Sequence, residues 1–164
     1  MVRAWMAAGA DVSKATIGGL VTPMHFAAQS GHEAVIRVLI AGGADFNSGD
    51  GIDGATPLFI AAQEGCEAAA RALIAAGAEI DKATIHGQTP LIAASHNGHT
   101  EIVRLLIAAG ADINHSNKNG VTTLAIAVGQ GLEATARVLI DAGADGHQAS
   151  RFGQTAVTAG RSKP

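Results

Sequence analysis

Seven histidines, one cysteine and a scatter of carboxylates are the residues of this chain that could do chemistry. His96 and His99 form a His-x-x-His pair, and His86 lies ten residues upstream. Zinc at such a pair needs further ligands. No acid or third ligand is fixed beside these residues, and the pair straddles the end of one helix and the start of the next. The glycine-rich stretch 45–55 carries Asp45, Asp50 and Asp53 and invites a calcium reading. No register of it puts acids at the first, third and fifth positions, Gly at the sixth and Glu at the twelfth. It is expected to be a flexible loop. Cys66 stands in no nucleophile motif. A single cysteine forms no internal disulfide or cysteine cluster and fits a reducing compartment. The chain has no Gly-x-Ser-x-Gly, no phosphate-cradling Gly-Lys-Ser/Thr and no dinucleotide fingerprint. A catalytic site needs titratable groups that converge, and these groups recur at intervals instead. The expectation is a non-enzymatic protein with no catalytic residue, cofactor or required metal.

The interval is the organising feature. Thr22-Pro23-Met24-His25-Phe26-Ala27-Ala28 returns at Thr56, Thr89 and Thr122, and an eroded copy begins at Thr155, at spacings of 34, 33, 33 and 33. A second marker, Gly-Ala-Asp or Gly-Ala-Glu, begins at Gly9, Gly43, Gly77, Gly110 and Gly143. Self-similarity at a period near 33 residues marks a stacked repeat array. The pattern divides the chain into a partial repeat 1–19, repeats 20–53, 54–86, 87–119 and 120–152, and a partial repeat 153–164. Each unit predicts two short helices and a hairpin-like loop. Thr is a good N-cap, Pro suits the first helical position, and the Gly after the second helix suits a left-handed C′ position. Repeating Leu58, Leu91 and Leu124, Ala61, Ala94 and Ala127, Leu39, Leu73, Leu106 and Leu139, and Ile40, Ile74, Ile107 and Ile140 are expected in the core.

Electrostatics narrow the partners. A net charge of −3 gives no support to a nucleic-acid or anionic-membrane surface. The arginine recurring on each second helix has a Glu three or four residues before it, as in Glu33–Arg37, Glu67–Arg71, Glu101–Arg104 and Glu133–Arg137. Such pairs belong to a solvated helix face. No apolar run reaches the ~18 residues of a membrane span, and residues 1–9 do not resemble a signal peptide. The expected location is the cytoplasm, with the nucleus as the alternative.

With Thr22-Pro23-Met24-His25-Phe26-Ala27-Ala28, Gly31-His32, the Gly-Ala-Asp marker, Asn47 and Asn114 in view, the chain resembles the ankyrin-repeat family along nearly its whole length. The resemblance implies an all-α solenoid of stacked helix-turn-helix units with β-hairpin-like fingers. It also implies a concave face, made by the fingers and first helices, that binds a partner protein. Carried onto this sequence, that face comprises Val21, Gln29 and Ser30 in the first unit. It takes Ile52, Asp53, Ala55, Gln63 and Glu64 in the second, and Ile85, His86, Gln88, His96 and Asn97 in the third. The fourth contributes Lys118, Asn119, Val121 and Gln130, and Arg151, Phe152 and Gln154 extend the row. Ile52 and Ile85 are expected either to form an apolar patch on neighbouring fingers or to pack against the finger backbone.

Departures from the pattern matter. The family histidine that bonds to the capping Thr is present only as His25; Phe59, Ile92 and Ala125 replace it. Thr123 and Ala156 stand where Pro is usual. The C-terminal half-repeat, farthest from pattern, is expected to fray first, with 153–164 exchanging its amide protons before 89–109. Trp5 aligns with Leu39 and Leu73 and is expected at the core or at the open N-terminal end. Neither end shows a clear polar outer face of the kind a capping repeat has, so a fragment of a longer array, or end-to-end association, is anticipated. The expected function is a protein-interaction scaffold or adaptor without enzymatic activity. The alternative is a structural repeat segment of a larger multidomain protein.

Overall fold

A computed structural model describes residues 21–146. Trp5, Arg151, Phe152, Gln154 and both partial repeats lie outside the described residues. Within residues 21–146 there are eight helices in four pairs. The inner helices are α1 (Pro23–Gln29), α3 (Pro57–Gln63), α5 (Pro90–His96) and α7 (Thr123–Gln130). The outer helices are α2 (Glu33–Ala41), α4 (Glu67–Ala75), α6 (Thr100–Ala108) and α8 (Glu133–Asp141). Inner packs on inner, outer on outer, and each inner helix on its own outer partner. The described residues hold no β-strand beyond one isolated bridge between Ser116 and Thr122. The fold is the expected all-α repeat solenoid.

Each inner helix begins as its sequence dictates. Thr56 Oγ1 accepts the Phe59 N–H at 3.1 Å. Thr89 and Thr122 do the same for Ile92 and Ala125, each at 3.3 Å. Helices of 7 to 9 residues are far below the ~12–15 residues at which an isolated helix is even marginal. Stacking therefore holds them. Leu58, Leu91, Leu124, Leu73, Leu106 and Leu139 are all buried, and Ala61, Ala94 and Ala127 between them allow the close helix approach. The isoleucine row departs from expectation. Ile40, Ile74 and Ile107 only pack against the margin of the core, and Ile140 is 57% exposed.

Side chains also tie unit to unit. Asn47 Oδ1 accepts the Glu79 N–H at 2.9 Å, and Asn114 Oδ1 the Asp145 N–H at 2.8 Å. Asp81, in the equivalent place, takes the Asp112 N–H with both oxygens at 3.1 Å. Fingers join through Ile85 N–H to the Asp53 carbonyl at 2.8 Å and Lys118 N–H to the His86 carbonyl at 3.1 Å. On the outer helices the Glu33–Arg37, Glu67–Arg71 and Glu101–Arg104 pairs close as solvated contacts.

Among the described residues two buried hydroxyls, on Ser95 and Thr123, break the pattern of satisfied polar atoms. The Ser95 hydroxyl on α5 is fully buried and has no hydrogen-bond partner. The equivalent positions hold Ala28 and Ala62. An unsatisfied buried hydroxyl destabilises by about 1–3 kcal/mol, while losing one oxygen leaves little void. Ser95→Ala is therefore expected to stabilise the array by about 1 kcal/mol. The urea midpoint measures this, and a lower midpoint would show that the hydroxyl is held by something else.

Candidate functional site

The inner helices and the fingers face each other across a trough. Its first section is a groove of about 400 Å³ with Phe26, Phe59 and Ile60 among its lining. The second section, about 330 Å³, is lined by Phe59, Gln63, Gln88, Ile92, Ala93, His96, Asn97 and Ile126. Phe59, Gln63 and Gln88 line both, so the two run together.

The residues predicted from sequence divide into three groups. Asp53, Gln63, Glu64, His86 and Gln88 line the first section. His96 and Asn97 join Gln63 and Gln88 in the second. Ile52 and Ile85 stand on the fingers, 61% and 54% exposed. Lys118 and Asn119 are exposed on the fourth finger, and Gln130 is exposed at the end of α7 with its amide 3.0 Å from His96 Nδ1. These five, Ile52, Ile85, Lys118, Asn119 and Gln130, form the third group, outside the lining of both sections. Sequence reasoning missed the floor. Phe26, Ile60, Ala93 and Ile126 each stand four residues after the capping Thr. Phe26, at 50% exposure, is the most open of the aromatic side chains there. The signal was available: an apolar residue recurs at that position in every unit, beside the core-facing Ala.

The finger at 45–55 is braced rather than loose. Asp50 Oδ1 accepts the N–H groups of Ile52, Asp53, Gly54 and Ala55 at 3.2, 2.9, 2.8 and 3.1 Å. Thr84 and Asn117 hold the next two fingers in the same way, with fewer bonds. Burial opposes ionisation of Asp50, but the four N–H groups outweigh it and hold the carboxyl below the ordinary 3.8. This oxygen is committed to backbone. Among the described residues no group of three or more His, Cys, Asp and Glu is placed to hold a metal ion.

Five of the described histidines, His25, His86, His96, His99 and His115, have partners within the protein. His25 Nδ1 accepts the Thr22 N–H at 3.1 Å and lies 2.7 Å from Thr22 Oγ1. A backbone N–H can only donate, so the proton sits on Nε2, which donates to the Ala55 carbonyl at 3.1 Å. Desolvation pushes His25 below the ordinary 6.5, against the raising influence of the Ala55 carbonyl and Asp50. His99 Nε2 donates to the Gln63 carbonyl at 3.0 Å, and Asn97 Nδ2 donates to the same oxygen at 3.0 Å. Cys66, one repeat earlier than His99, aims Sγ at the Gln29 carbonyl at 3.5 Å. Burial, with the Glu64 charge, pushes its thiol up, which leaves a poor nucleophile. His86 Nε2 lies 3.7 Å from Asp53 Oδ1 across two fingers.

The trough is lined by apolar and neutral polar groups with a few carboxylates, and its titratable groups hold backbone or face solvent. No described helix is long and apolar enough to cross a membrane. No curated protein matches the chain. A family model described as ankyrin repeats, in three copies, matches residues 1–84 and 79–150. These matches take in most of the sequence, and the chain belongs to the ankyrin-repeat family.

Proposed function

We propose that this domain is a non-enzymatic scaffold that binds a partner protein on its fingers and in the trough between the fingers and the inner helices. Phe26, Ile52 and Ile85 carry the reading. Among the described large apolar side chains that are half exposed or more, these three belong to the fingers and inner helices. Exposed apolar groups rimmed by polar ones mark interaction surfaces. The inter-repeat hydrogen bonds form the trough in advance, so little ordering entropy opposes association. The partner-contacting set is Ile52, Asp53, Gln63, Glu64, Ile85, His86, Gln88, His96, Asn97, Lys118, Asn119 and Gln130, with Phe26 and Ile60 added from the floor. The lone, protonated Cys66 fits a reducing compartment, and the cytoplasm is the proposed location.

Affinity capture tests the proposal, with the intact chain and a Phe26→Ser, Ile52→Ser, Ile85→Ser variant as baits. Partners of the trough are expected to fall by about tenfold or more on the variant, since apolar anchors carry most of an interface's energy. Both baits must show equal helicity. Retention unchanged on the variant would move the site to the outer helices. No retained protein on either bait would favour a structural segment of a larger protein.

A further inference from the structure

We propose that the first section of the trough takes a protein segment presenting a lysine or arginine flanked by apolar side chains. The proposal rests on the concave-face reading above and gives its partner a chemistry. Among the described residues three carboxylates, Asp50, Asp53 and Glu64, line this section, and no Lys or Arg does. Its floor is Phe26, Phe59 and Ile60. The carboxylates are not gathered closely enough to hold a bare metal ion. They flank an apolar floor instead. That arrangement matches a side chain with a long methylene stem and a charged head. The stem covers Phe26 and Ile60 while the head reaches Asp53 or Glu64. Phe26 is half exposed, so its ring face is open to a cation. Asp50 stays ionised because four N–H groups hold it, but those same groups offset its charge. Asp53 and Glu64, both exposed, are therefore the groups a cation would meet.

The charge is local, which gives the segment a direction. Among the described residues the second section has no carboxylate in its lining. Along the fingers, Asp53 gives way to His86 and then Asn119, and Lys118 appears on the fourth finger where Ile85 stands on the third. The anionic lining is confined to the first section of the trough, and Lys118 stands on the fourth finger outside both sections. A bound segment places its basic residue between α1 and α3 and its apolar or acidic residues toward α7. Like-charge contact disfavours the reverse orientation.

Selection of a random heptapeptide display library on the intact folded chain tests this. Peptides retained are expected to carry Lys or Arg next to Leu, Ile, Met or aromatic residues, enriched about threefold or more over the library. Synthetic copies, followed by fluorescence anisotropy, are expected to bind about tenfold more weakly to Asp53→Asn, Glu64→Gln. They are also expected to weaken in salt near 1 M, where the Debye length falls to about 3 Å. Both positions are exposed, so the variant keeps its fold, and circular dichroism checks this. Selected peptides without basic enrichment, or binding unmoved by the variant and by salt, would overturn the charge assignment and leave the concave face standing. Basic peptides bound equally by Phe26→Ser, Ile60→Ser would overturn the trough itself as the site. No selected peptide at all would also overturn the proposal, while the capture experiment would still decide the broader reading.

Discussion

Replacing Gly65 by alanine is expected to destabilise the array by about 2–3 kcal/mol, more than the same change at Gly77. Both glycines have positive φ, +75° and +91°. An L-residue there loses about 1–2 kcal/mol from backbone strain alone. At Gly77 an added Cβ meets nothing within 4 Å, so strain is the whole effect. At Gly65 the Cβ falls 2.6 Å from His99 Cε1 and 2.8 Å from Nδ1. The imidazole must leave, and its bond to the Gln63 carbonyl goes with it. A net hydrogen bond adds about 1 kcal/mol to the loss. Urea unfolding of both variants gives the comparison. A double variant, Gly65→Ala with His99→Ala, sharpens it. Once the ring is removed the methyl has room, so the two losses should sum to more than the double variant shows. Equal losses at Gly65 and Gly77, or strict additivity, would place the His99 ring elsewhere.

That contact explains what the sequence could and could not disclose. The helices were legible because their signals are local. Thr-Pro starts each of the first three inner helices, and the ~33-residue period fixes which faces stack. Asn47 and Asn114 were legible as positions but not as bonds, because their partners lie 32 and 31 residues onward. Asp81 does the same work with a different side chain, and no pattern match would have paired it with Asn47. The finger at 45–55 reads as loose because Gly and Asp dominate it. Asp50 closes it by taking four N–H groups on one oxygen, a geometry that exists only once the turn has formed. The trough was half legible. Its rim came from the finger and helix-end positions the family resemblance implied. Its floor at Phe26, Ile60 and Ile126 left a recurring apolar signal in the sequence, but an apolar residue one step from a core alanine looks like more core. Whether such a position is covered depends on how far the fingers stand from the inner helices. That distance is a property of the stack and not of any one unit.

The stability of this protein is expected to fall as pH drops below about 6.5, and His25 is the group responsible for the expected loss. Above 6.5 the ring is neutral folded or unfolded, and its full contribution is present. Below 6.5 the unfolded chain takes up a proton that the folded chain refuses, since burial holds the native value lower. Stability is lost until the folded value is passed, and this group then contributes no further slope. The geometry gives a second reason for the refusal. A proton on Nδ1 would face the Thr22 N–H, donor against donor, at 3.1 Å. Asp50 and Asp45 pull the other way, but desolvation outweighs them. The depressed Asp50 carboxyl acts in a separate window. Its contribution is present above 3.8 and is lost only as pH falls below that. His25→Phe isolates the effect. Phe59 occupies the equivalent position in the next unit, so a benzyl ring is compatible with the helix there. The variant should lose the slope between pH 6.5 and the acid window while other groups titrate unchanged. His25→Ala should remove about 2–4 kcal/mol at neutral pH, because it opens a cavity and orphans the buried Ala55 carbonyl and the Thr22 cap. Because each unit contacts only its neighbours, the weakened joint is the one between the first and second units. Amide exchange should quicken in α1 and α2 first and leave α5 and α6 protected. Unfolding curves for intact chain and His25→Phe that run parallel from pH 7.5 to 5 would place the pH sensitivity in other groups, since a histidine that refuses its proton when folded must make the two curves diverge as the pH falls.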